Sequence, residues 1–158
     1  MELMVVLSIV AVMTSMVLMV RGTPNNLKKI EDEGKRLKAL ISMVSDEAIV
    51  TGRELGMQFY QKGYAFLGRE DDGKWRYILE KPLGKRLLPP GFRMELTLET
   101  RPVELKTEEE HDIKPHMVFG TTGETLPFKL DLQGPNGQRM TLSGNGRGTI
   151  QLQRPNRS

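Results

Sequence analysis

A single carboxylate, Glu2, stands directly before eighteen uncharged residues, Leu3 to Val20. As a helix that run would measure about 27 Å at about 1.5 Å per residue, close to the bilayer's hydrocarbon thickness of about 30 Å. A carboxylate at the edge of such a helix is costly in lipid, about 2.5–3.5 kcal/mol if it lies at the centre. It therefore calls for a partner or a job. A secretory signal peptide would begin basic, carry a shorter apolar core and end in a small-x-small site. Here the start is acidic, the run is longer, and Val20-Arg21-Gly22 offers no such site. A plain signal anchor, with Glu2 resting among headgroups, is the other reading of the same residues.

The remaining chemistry-bearing residues point away from catalysis. His111 and His116 lie in an acidic stretch, Glu108 to His116, with Pro115 between them. Histidines and carboxylates can hold a metal, but this spacing fits no standard helical site, and a solvated loop is the better reading. Glu108 to Asp112 lacks the regular spacing and turn glycine of a calcium loop. There is no cysteine, so no thiolate or disulfide chemistry is available. No serine sits in a Gly-x-Ser-x-Gly elbow. Gly144-Asn145-Gly146-Arg147-Gly148 matches neither a dinucleotide nor a Walker loop and reads as a tight turn between the last two strands. No metal, cofactor or catalytic residue is therefore assigned. After Asp131 the chain carries Arg139, Arg147, Arg154 and Arg157 and no acid. These four are candidate nucleic-acid contacts, supported by charge alone. No strand carries the interleaved aromatics of a single-strand binder.

Those residues must be positioned by elements that the pattern makes legible. About 138 residues follow the apolar run, enough for one domain with its own core. The net charge of +3 is mild and says little about partners. Arg21 to Asn26 is turn chemistry and reads as a hinge. From Leu27 the sequence Leu27, Ile30, Gly34, Leu37, Ile41, Val44, Ala48 steps 3-4-3-4-3-4, with Leu40 and Ile49 widening the stripe. Charged residues fall mostly on the other faces, a strong amphipathic-helix signal. A coiled-coil seam would give the same stripe, but Gly34 would weaken it, and packing on a sheet of the same chain is favoured.

After Gly52 the period shortens. Strands are predicted at 57–61, 64–68, 75–79, 93–99, 103–106, 117–119, 128–132, 139–142 and 149–152. Asp71-Asp72-Gly73 and Pro135-Asn136-Gly137 read as hairpin turns, and 81–91, with three prolines and two glycines, as a loop. The expectation is an α+β chain: an N-terminal transmembrane or stalk helix, then an amphipathic helix packed on an antiparallel head of two sheets. Its segments are 1–20, a membrane or filament-core helix; 21–52, hinge and amphipathic helix; and 53–158, a β-rich head.

Glu2 to Leu7, Glu-Leu-Met-Val-Val-Leu, resembles the N-terminal segment of type IV pilins and type II secretion pseudopilins. The series Glu47 to Gly56, Gly63 to Leu67, Lys74-Trp75, Gly123 to Leu130 and Leu142 to Ile150 extends the resemblance, in order, along almost the whole chain. It is similar to the minor pseudopilin H family (GspH), within the GspH/FimT group. That resemblance implies a structural subunit with no enzyme activity, near the tip of a short periplasmic filament. Its partners would be the other minor pseudopilins, the major pseudopilin and the inner-membrane secretion machinery. It also implies pairing of Glu2 with a neighbouring subunit, a single-pass inner-membrane location and a periplasmic head. A basic leader ending in Gly would be expected upstream of Met1. The orientation rests on the resemblance, because Arg21, Lys28 and Lys29 would by themselves hold their side of the membrane in the cytoplasm. The alternative is a DNA-uptake subunit; FimT-type minor pilins bind DNA through a Gly-Arg-x-Arg tail, and Gly146-Arg147-Gly148-Thr149 lacks the second arginine.

Overall fold

The computed structural model describes residues 23–107 and 112–157, with residues 23–24 and 155–157 described by backbone alone. Glu2, the Leu3 to Val20 run and His111 lie outside the described residues, as do Glu108 to Glu110. Among the described residues one helix, α1 (Thr23–Thr51), precedes ten strands. Its 29 residues span about 43 Å. Ile30, Gly34, Leu37, Leu40, Ile41, Val44 and Ala48 are buried, as their spacing predicts. Leu27, at the head of the predicted stripe, is only half-buried. Two further residues of the helix depart from expectation. Ile49 is half exposed, lying one step past Ala48 at the border of the stripe, with its methyl end close against Gly123. Glu33 is buried within the stripe. The residues read as a hinge from Thr23 to Asn26 form the first turn of α1. Pro24 fits there because first-turn N–H groups have no intrahelical partner.

The strands form two antiparallel sheets. Sheet A contains β1 (Leu55–Tyr60), β2 (Gly63–Arg69), β3 (Trp75–Tyr77), β4 (Arg86–Leu87) and β7 (Met117–Phe119), in the order β3-β2-β1-β7, with β4 also paired to β2. Sheet B contains β5 (Arg93–Leu98), β6 (Arg101–Val103), β8 (Phe128–Gln133), β9 (Gln138–Gly144) and β10 (Ile150–Arg157), in the order β10-β9-β8-β5-β6. This is an α+β fold with one helix on two sheets. Every residue of β1 is buried, so that strand is covered on both faces. In β5, Met94 and Leu96 are buried while Arg93 and Glu95 are exposed, the alternation expected of a strand with one wet face. Register aligns Met94, Leu132 and Met140 in one row and Leu96, Leu130, Leu142 and Leu152 in the next. These rows form the inner face of sheet B against α1. Gly34 permits the close approach: a Cβ there would sit 2.5 Å from Met140 Sδ.

The hairpin turns fall where the dipeptides place them. Gly73 and Gly137 take φ of 78°, the left-handed region that glycine enters without a Cβ clash. Three stretches differ from expectation. The segment 81–91 contains β4, which pairs Gly63 with Leu87 and Tyr64 with Arg86. Two residues give too little alternation to be read from sequence. A strand was expected at 103–106, but the pairing lies at Arg101–Val103. Beyond it Lys106 C=O instead accepts from Gln61 N–H, in the β1–β2 turn, at 2.9 Å. His116 is not in a solvated loop. Its N–H donates to Met57 C=O at 2.9 Å and its Nδ1 accepts from Phe59 N–H at 3.0 Å, so it extends the β7 edge beyond its last strand pair.

Candidate assembly surfaces

The polar groups buried inside the head serve architecture. Glu33 Oε1 accepts from Arg86 at 2.7 Å and from Arg36 at 3.4 Å, tying β4 and its loop to α1 across 53 residues of chain. Burial pushes the Glu33 carboxyl above its ordinary range; Arg36 offsets part of this and Asp32 adds to it. The pKa of the Tyr64 hydroxyl, buried without a partner among the described residues, is raised by burial first and by Glu33 second. On the opposite face of sheet A, the Gln58 side-chain oxygen accepts from Tyr60 at 3.0 Å and from Tyr77 at 2.8 Å. Asp131, on the outer face of sheet B, is held by Thr141 and by Lys129 at 3.1 Å. Among the described residues no group of three histidines, cysteines or carboxylates stands ready for a metal.

The four candidate arginines do not form one stripe. Arg139 opens β9, beside Glu95 at 3.6 Å. Arg157 pairs in register with Gln138, so it ends β10 near Arg139. Arg147 sits in the turn beyond the other end of β9, about 20 Å away at strand spacing. Arg154 lies between, where the β10 register shifts. A phosphate backbone would meet separated charges, one of them already facing a carboxylate.

The surface does expose apolar side chains in specific places. Met43 and Leu79 border a groove of about 610 Å³ between the C-terminal turns of α1 and the β3–β4 connection, where Leu79 is 84% exposed. Val50, 82% exposed, lies on the same end of α1. A smaller cleft of about 80 Å³ lies where α1 meets the β9–β10 turn, lined by Ser45, Asp46, Thr125 and Phe128 among others. The Thr125 hydroxyl is buried there without a partner among the described residues. Nothing in the sequence pattern marks these surfaces, because they join residues from distant segments. Among the described residues no helix is long and apolar enough to cross a membrane.

A long helix laid over two antiparallel sheets makes an α+β head. The fold matches the minor pseudopilin EpsH from the type II secretion system of Vibrio cholerae, with a TM-score of 0.67 at 19% identity, covering 83% of this chain and 97% of that one. It also matches GspH of E. coli, with a TM-score of 0.65 at 16% identity, covering 84% and 93%. In sequence the chain is 29% identical over 155 residues to the type II secretion system protein H of Pseudomonas aeruginosa, covering 92% of this chain and 88% of the relative. It is 24% identical over 140 residues to the protein of the same name from Aeromonas hydrophila, covering 83% and 76%. No protein-family model matches. The resemblance to minor pseudopilin H, read from the ordered motifs, is borne out by both sequence and fold.

Proposed function

We propose that this chain is a structural minor pseudopilin of a type II secretion system, assembling near the tip of a periplasmic pseudopilus that supports protein export across the outer membrane. The observation that carries the reading is the match to type II secretion protein H over 92% of the chain, together with a head fold of the same kind. The role is one of assembly, without an enzymatic step or a cofactor.

In this reading Leu3 to Val20 first spans the inner membrane and then packs in the filament core, while the head stays in the periplasm. Glu2 pairs with an opposite charge on a neighbouring subunit. A paired charge in low dielectric selects alignment more than it stabilises. The Met43–Leu79 groove offers the head a contact surface for other minor pseudopilins, with the major pseudopilin and the inner-membrane machinery as the remaining partners. The DNA-uptake alternative is not favoured, because the arginines on which it rests are spread over both ends of sheet B.

Glu2→Ala tests the mechanism. Removing a charge from the edge of the apolar helix leaves membrane insertion intact or improves it. Crosslinking to the other minor pseudopilins should fall. Membrane fractionation and crosslinking in the same cells read both halves, and undiminished crosslinking would reduce Glu2 to a headgroup contact.

A further inference from the structure

Each sheet leaves two edges. In sheet A one is β7, three residues long, and the other is shared by β3, three residues, and β4, two. In sheet B one edge is β6, also three residues, with Pro102 at its centre. Proline has no N–H to offer a new strand, so that edge is blunted. The other edge, β10, is eight residues long. Its inner side pairs regularly with β9 from Ile150↔Gly144 to Gln153↔Thr141. Between Gln153 and Asn156 the register shifts, leaving Arg154 and Pro155 out of the ladder. A bulge with a proline protects an edge from further pairing. The protection covers the distal half of β10 and leaves Ile150 to Gln153 as plain strand.

Half of the backbone groups of an edge strand point away from its sheet. Among the described residues, the ladder of β10 runs to β9 alone. Leu152 is anchored from the inner face, its Cδ1 3.3 Å from where a Cβ on Gly34 would stand, so the stretch is held against α1 and cannot swing freely. Gln151 and Gln153 are exposed. Cations flank both ends: Arg147 in the preceding turn and Arg154 directly after, each exposed. From Leu132 to Ser158 the chain contains no acidic residue.

From this geometry we propose that the outer edge of β10, over Ile150–Gln153, docks an extended acidic segment of a partner protein, which joins sheet B as a sixth strand. Backbone hydrogen bonds supply the pairing, and Arg147 and Arg154 select for negative charge. Charge argues against a second copy of this chain as occupant, because two β10 edges side by side would bring four arginines together against Asp46 of α1, which lines the cleft at the start of β10, in each copy.

The test uses the full chain in nonionic detergent. A fluorescent seven-residue peptide alternating Glu with Val and Thr is titrated by anisotropy. It is compared with the same peptide N-methylated at alternate residues, in both registers, and with a version carrying Lys for Glu. The acidic peptide should bind and slow amide exchange at Ile150–Gln153. N-methylation on the pairing edge should weaken binding at least tenfold, as should the Lys replacement. Arg147→Glu with Arg154→Glu should weaken it while leaving the melting temperature unchanged, since both side chains are exposed. Equal affinity for plain and both N-methylated peptides would show attraction by charge without strand addition and overturn the proposal. Absence of binding, or dimerisation of the chain with protection of the same amides when no peptide is present, would overturn it too.

Discussion

Leu37 is the residue through which the packing of α1 can be tested most cleanly. It is fully buried within the core beneath the helix, while its neighbour Lys38 is exposed. Leu37→Ala removes three carbon groups, about 2.4 kcal/mol at about 0.8 kcal/mol each. A residual cavity of about 50 Å³ would add about 1.2 kcal/mol at about 24 cal/mol per Å³. The expected loss is therefore about 3–4 kcal/mol. For a chain of about 136 residues, beginning at Thr23, the unfolding entropy near the midpoint is about 0.29 kcal/mol/K. The melting temperature should then fall by roughly 10–14 °C. Lys38→Ala should change it by less than about 2 °C, because it removes only solvated surface. Circular dichroism melts at two protein concentrations decide it. A shift for Leu37→Ala no larger than that for Lys38→Ala would refute the burial. A melting temperature that rises with concentration would show that the stripe packs between chains.

Three further outcomes follow from particular residues. Burial raises the Glu33 carboxyl above its unfolded value of about 4.5, so the native state binds this proton more tightly. Its contribution to stability is present below that value and is lost as pH rises through the raised native pKa. Urea melts of wild type and Glu33→Gln across that window should show wild type losing stability relative to the variant as pH rises; parallel curves would count against the shift. Gly146 and Gly148 both have positive φ, 79° and 89°, but a Cβ on Gly146 would lie 2.5 Å from Thr125 C=O, whereas one on Gly148 meets nothing within 4 Å. Gly148→Ala should cost about 1–2 kcal/mol from backbone strain alone, and Gly146→Ala clearly more by chemical denaturation. Equal costs would mean the turn relaxes away from Thr125.

The sequence conveyed most of this architecture because most of it is periodic. The 3-4 spacing from Ile30 to Ala48 specified the buried face of α1, and Met94, Leu96 and their partners specified the inner face of sheet B. Turn glycines placed the hairpins at Gly73 and Gly137. What stayed hidden depends on contacts between distant residues. Glu33 looked like a solvated charge because its partner Arg86 lies 53 positions away. β4 was read as loop because two residues among prolines carry no alternation. His116 looked loop-like because its role, completing the β1 edge through both backbone and ring, is geometric. For the same reason neither the Met43–Leu79 groove nor the free stretch of β10 was legible: a surface is a property of neighbours in space. The docking role of Glu2 remains a proposal carried by resemblance and by the cost of a charge at an apolar helix.

The central claim is that this chain supports export across the outer membrane as a filament subunit. Deleting its gene in the host and following secreted proteins in periplasm and medium tests it most directly. Exoproteins should accumulate in the periplasm and return to the medium when the full chain is restored. Unchanged export in the deletion strain would contradict the account.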